Sequence, residues 1–248
     1  SQGGGVYLAA GNTGSIILST NVILGGGYGV YIATQAAGTQ IQIASNTIVP
    51  LVTGAYDTYG LYLDGLLSGA TLHNNAVVYR ASGSMGASKS VGLYAQSSSG
   101  LVVDHNRFNN PGMLTGGSYA AAYLQNTTNS SFLFNDFNSI GTSLTDTYLM
   151  VVENFSTGVT LKNNVFFSSV AVIGSSATLS VDANSWAGFA SNYNNFFSSN
   201  AALSLQWGPL MAQSSAWVTL TGNDADSISV HPRWVNADAG VEDFHPLS

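Results

Sequence analysis

The stretch "LVVDHNRFNN" (101–110) sets an aspartate, a histidine and an arginine within four residues, and it reads either as a catalytic cluster or as one turn of a repeat. Its neighbours decide for the repeat. "LSTNVI" (18–23), "IASNTI" (43–48), "LHNNAV" (72–77), "VDHNRF" (103–108), "FLFNDF" (132–137) and "LKNNVF" (161–166) share the pattern apolar-x-x-Asn-x-apolar. The asparagines are Asn21, Asn46, Asn75, Asn106, Asn135 and Asn164, spaced by 25, 29, 31, 29 and 29 residues. A second segment precedes most of them: "YGVYIA" (28–33), "YGLYLD" (59–64), "VGLYAQ" (91–96) and "AAYLQN" (121–126). Turn-forming Gly, Ser and Thr lie between.

Runs this short, rich in β-branched and aromatic residues and bounded by turn residues, are strands rather than helices. One repeat cannot bury its own apolar face, so neighbours must stack and share a core. About 29 residues per coil suits three short strands and three turns. The expected fold is all-β: a right-handed parallel β-helix, or solenoid, with repeats over 1–170 and degenerate terminal coils with an irregular closing region over 171–248 of the same domain. "GPLMAQSSAW" (208–217) is expected to form a short helix or loop on the end, and "NYNNFF" (192–197) a seventh, degenerate coil. The repeated asparagine has two structural explanations. It tolerates the left-handed backbone of a sharp turn, and its amide can bond from coil to coil as a ladder.

Composition narrows the partners. The chain has 248 residues, 45% of them hydrophobic and 7% charged, with a formal net charge of −7 and five Lys plus Arg. Phosphate binding needs a basic patch, so no nucleic-acid partner is expected. No apolar run is long enough to span a membrane, and without cysteine there is neither a disulfide nor a thiolate metal site. The chain opens with Ser and shows no signal peptide, and it reads as a mature form or as a piece of something longer.

The Asn-centred coils resemble bacterial secreted right-handed parallel β-helix repeat proteins, which share their architecture with pectate lyases. The C-terminal element Gly222, Asp224 and Ser227, followed by Pro232, Trp234 and Val235, is similar to the last coils of such domains. The resemblance implies an extracellular or cell-surface location. On this scaffold the expected role is structural or adhesive, as part of a larger array or filament that binds glycan or protein partners. The alternative is a polysaccharide lyase or glycoside hydrolase using one sheet face.

Candidate chemistry is thin. Two residues before the repeat asparagine, His73 and Asp104 should be neighbours across one coil, with Arg107 nearby, and these three are the weak catalytic candidates. Only one carboxylate stands in that column, which is too few for a Ca²⁺-dependent lyase or an acid pair. No cofactor is expected, with Ca²⁺ relevant only to a lyase. The four histidines, His73, His105, His231 and His245, match no metal-ligand spacing. Glu153 is expected to turn inward if its coil keeps register. The better lead is the tyrosines Tyr31, Tyr62, Tyr94 and Tyr123, which recur once per coil and alternate with inward apolar residues, so they should form an outward strip that suits a sugar or a partner surface. Finally, residues 1–56 carry no Asp, Glu, Lys, Arg or His. An uncharged first coil leaves a strand edge unguarded, so self-association or a neighbouring module is expected there.

Overall fold

The computed structural model describes residues 4–52, 56–79, 83–84, 88–111, 114–140, 144–169, 176–199, 204–236 and 243–246. They form a parallel β-helix of about six turns, built from three parallel sheets. The first sheet stacks Gly4–Leu8, Tyr28–Ile32, Thr58–Asp64, Lys89–Gln96, Ser118–Gln125, Asp146–Glu153, Ser176–Val181 and Ser204–Trp207. The second runs from Ser15–Ser19 through Ala70–His73 and Leu101–Asp104 to Ala190–Asn192. The third runs from Val22–Leu24 through Arg107–Pro111 to Asn195–Ser198. The coils continue past residue 170, since Ala190–Asn192 and Asn195–Ser198 pair in register with Thr160–Lys162 and Val165–Ser168.

The corner between the second and third sheets carries the ladder. Asn75 donates its backbone N–H and its Nδ2–H to Oδ1 of Asn106, both at 2.9 Å, and a further Nδ2–H to the Ile43 carbonyl at 2.7 Å. The same pattern joins Asn21 to Asn46, Asn46 to Asn75, Asn106 to Asn135 and Asn135 to Asn164. It then joins Asn164 to Asn194, a seventh member. From Asn46 to Asn194 these side chains are buried, and their polar atoms find partners inside the ladder.

Of the two explanations for the asparagine, the left-handed turn belongs to a different residue. The residue just before each one has positive φ: Thr20, Ser45, Asn74, His105, Phe134, Asn163 and Tyr193, at 54–58°. Left-handed backbone costs a non-glycine residue about 1–2 kcal/mol. The ladder bonds that follow, each worth about 0.5–1.5 kcal/mol net, offset it.

Inside the coils the side chains stack by type. Ile23, Ile48 and Val77 begin a column that continues as Phe108, Phe137, Phe166 and Phe196, with ring centroids 4.8–5.5 Å apart. This column presses against the backbone of the first sheet, which explains the glycine in "YGVYI" and "YGLYL". A Cβ on Gly60 would lie 2.2 Å from Val77 Cγ1 and 2.5 Å from the Gly92 carbonyl oxygen. No side chain fits there.

The C-terminal end is sealed. A helix, Ser214–Thr221, lies slightly beyond the expected 208–217, and it buries Trp217 edge-on to Trp207. Asp224, 4% exposed, accepts from Trp217 Nε1 at 2.9 Å, Ser191 Oγ at 2.8 Å and Ser227 Oγ at 2.6 Å. Asn194 Nδ2 also donates to it, at 3.2 Å, so this carboxylate receives the donor end of the ladder. The first coil is different: Tyr7, Ile17, Val22 and Leu24 are all exposed. No helix among the described residues is long and apolar enough to cross a membrane.

Removing a mid-ladder amide strands two buried donors, each costing about 1–3 kcal/mol. Asn106→Ala is expected to lose roughly 3 kcal/mol or more of unfolding free energy in urea, and Asn21→Ala, at the exposed end, about 1 kcal/mol. Equal small losses at both positions would show that the ladder does not hold the coils.

Candidate functional site

The outward face of the first sheet concentrates the polar and aromatic residues. Register places Tyr7, Tyr31, Tyr62, Tyr94 and Tyr123 in one column, followed by Val151 and Ser180. The rings are half-buried apart from Tyr7 and lie on one another, with centroids 4.9–5.4 Å apart and interplanar angles of 6–28°. They therefore present edges and hydroxyls to solvent, because each ring face is taken by the next ring. Tyr28 and Tyr59 form a shorter second stack beside them, edge-on to the first. Sequence reasoning passed over Tyr7, Tyr28 and Tyr59, although the repeated "YGxY" spacing marks the last two.

Next along the strands is a column of carboxylates and amides: Asp64, Gln96, Gln125 and Glu153. Glu153 thus points outward and half-exposed rather than into the core. It accepts from Tyr123 Oη at 2.5 Å, Asp64 accepts from Tyr31 Oη at 3.2 Å and from Gln96 Nε2 at 2.9 Å, and Tyr94 donates to Gln125. Burial first, and then nearby carboxylates and, for Tyr62, the neighbouring Tyr94 phenol, push the phenols up: Tyr31 reaches about 12, and Tyr62, Tyr94 and Tyr123 shift the same way.

Where the tyrosine column gives way to Val151 and Ser180, the face sinks into a groove of about 580 Å³. Tyr123, Tyr148, Lys89, Gln206 and the carboxylates Asp146, Glu153 and Asp182 line it. Val151 is too small to stack on Tyr123, so the last ring of the column borders the groove, and Lys89 Nζ lies 4.1 Å from that ring's centroid. Val152 pairs with Val181, which sets Glu153, the last residue of its strand, beside Asp182, which directly follows the neighbouring one. Asp182 Oδ2 accepts from the Asn154 N–H at 2.9 Å, while its buried Oδ1 has no hydrogen-bond partner among the described residues. These carboxylates come from different repeats, so no local motif announces them.

The weak catalytic candidates divide. His73 and Asp104 meet in register, with Nδ1 2.8 Å from Oδ2, on the second sheet and away from the groove. Arg107 lies beyond the Asn106 turn in the third sheet, in register with Asp136. Burial pushes the Asp136 carboxyl up to about 6, against the pull of the Arg107 charge. His231 packs edge-on against Phe167 and Phe197. Comparison with family models, with curated proteins and with solved structures returned no match.

A phenol that ionises later in the folded than in the unfolded chain stabilises below the unfolded value near 10 and loses that contribution above it. Stability is therefore expected to fall steadily from pH 10 to beyond 12, with most phenolate absorbance appearing only as the protein unfolds. Complete titration of the tyrosines near pH 10 in a folded chain would contradict the stacked arrangement.

Proposed function

We propose that the protein is an extracellular or surface-displayed β-solenoid scaffold whose first-sheet groove binds a neutral or amino-substituted glycan. The observation that carries this reading is the groove's lining. Two tyrosines, Tyr123 and Tyr148, line it and offer apolar ring surface to a sugar, and Asp146, Glu153, Asp182 and Gln206 offer oxygens to its hydroxyls. Three carboxylates against one lysine disfavour an acidic polysaccharide. The composition and the Gly222–Asp224–Ser227 element, similar to that of secreted bacterial β-helix proteins, support the location.

Titration with neutral, amino-substituted and uronic oligosaccharides tests the reading. Tyr123→Ala is expected to weaken binding of the first two classes about tenfold, or about 1.4 kcal/mol, with the melting temperature little changed. Binding confined to uronic oligosaccharides, or indifferent to Tyr123→Ala, would overturn it.

A second reading, glycoside hydrolysis, is favoured by one observation: Glu153 and Asp182, contributed by neighbouring coils, line the same groove, and a pair of carboxyl groups is what that reaction requires. In that case bound oligosaccharide is cleaved, and Glu153→Gln abolishes cleavage but not binding. The first coil completes the proposal. Ile17, Val22 and Leu24 are 64–70% exposed on a stretch without charge, a surface on which a second copy stacks. Concentration-dependent association in sedimentation is expected, suppressed by Ile17→Lys, and a monomer at high concentration would refute it.

A further inference from the structure

Away from the groove, three side chains converge at the corner between the second and third sheets. His73 ends the strand Ala70–His73, Asp104 ends the strand Leu101–Asp104 one coil on, and His105 follows in the left-handed position with φ 55°. Because the left-handed turn swings His105 back over the strand end, both imidazoles reach the same carboxylate oxygen. His73 Nδ1 lies 2.8 Å and His105 Nδ1 3.0 Å from Asp104 Oδ2, and the three potential ligand atoms all lie within 4.8 Å of one another.

The cluster is held in place. The His105 ring stacks on Phe134 with centroids 5.1 Å apart and meets the His73 ring at 5.5 Å. Directly after the two turns, Asn75 and Asn106 are bonded to each other in the buried ladder, which fixes the spacing of the two coils. Burial alone would raise the Asp104 carboxyl, but hydrogen bonds from His105 and His73 outweigh it and hold the group below the usual carboxylate range. His73 and His105 are about half exposed and Asp104 one-fifth exposed, so the corner is open to solvent.

We propose that His73, Asp104 and His105 bind one divalent transition-metal ion of the zinc class. Two imidazole nitrogens and one carboxylate oxygen are the donor set such ions take, whereas Ca²⁺ and Mg²⁺ require oxygen. With metal–ligand bonds of about 2.0–2.2 Å, adjacent ligands in a tetrahedral shell lie about 3.4 Å apart, a few tenths of an ångström beyond the separation the nitrogens keep from Oδ2 and inside the spread of the three atoms. The ion takes the place of the two Nδ1 hydrogens, whose protons move to the solvent-facing Nε2 atoms, so the step needs no net proton release from neutral rings. Water fills the remaining positions. Since His73 belongs to one coil and Asp104 and His105 to the next, the ion clips neighbouring coils together and should raise the melting temperature by mass action.

The test is titration of the chain with Zn²⁺ alone, followed by calorimetry, thermal melting and the ring-nitrogen resonances of the histidines. One ion per chain is expected, with a rise in melting temperature and shifts at two of the four histidines. His73→Ala and His105→Asn should each weaken binding at least tenfold and remove the thermal shift, whereas His231→Ala should leave both unchanged. Other coils already hold alanine (Ala44) and asparagine (Asn74 and Asn163) at these two places, so both variants should fold. Millimolar Ca²⁺ should not compete. Failure to saturate at one ion per chain, binding that survives in the double variant, or ring-nitrogen shifts confined to the other two histidines would overturn the proposal. The resonance measurement needs only the unaltered chain.

Discussion

One buried amide per coil sets the terms for everything else in this molecule. A parallel sheet alone fixes the distance between strands but leaves the corners free, and corners are where a solenoid coil would slip. Here the side-chain amide of each mid-ladder asparagine accepts from the preceding coil through Oδ1 and donates through Nδ2 both to the next coil and to a carbonyl of the preceding one, so a corner cannot move without breaking several buried bonds. The phenylalanine column inside and the tyrosine column outside inherit their roughly 5 Å spacing from this register. The stacks follow from the ladder and the sheets together, and each ring then covers apolar surface of its neighbour.

The ladder also has a direction. Every Oδ1 faces the N-terminal end, and each backbone N–H with one Nδ2–H donates toward the C-terminal end. With no further asparagine to accept from it, the backbone N–H of Asn194 would be left unpaired, and the hydroxyl of Ser227, itself held by Asp224, stands there to receive it. The Trp217 indole closes the same carboxylate from the other side. An aspartate at 4% exposure is otherwise hard to account for in a chain with so few charges.

Much of this was legible because the ladder asparagine cannot be exchanged, and so it marks the register in every coil. The fold, the six asparagines and the outward tyrosines follow from that one column. What was not legible depends on contacts across coils. The positive-φ residue varies from threonine to tyrosine, so no residue type gives it away, and the asparagine was credited with its turn. The histidines match no metal-ligand spacing in sequence because His73 and His105 meet only through the left-handed backbone at the corner, which leaves no mark in the spacing. Arg107 falls on the far side of the same corner. The groove arises from a subtraction, the replacement of tyrosine by Val151 and Ser180 in one column, and it becomes visible only when the strands are set side by side.

The left-handed corner has a wider consequence. Its backbone shape is imposed from beneath by the ladder, and the side chain at each left-handed position projects away from it, as hydroxyl, amide, imidazole, phenyl or phenol in successive coils. Chemistry at this rail is thereby decoupled from folding. The molecule holds a line of interchangeable sockets at strand spacing, any of which can be rewritten without disturbing the frame that carries it.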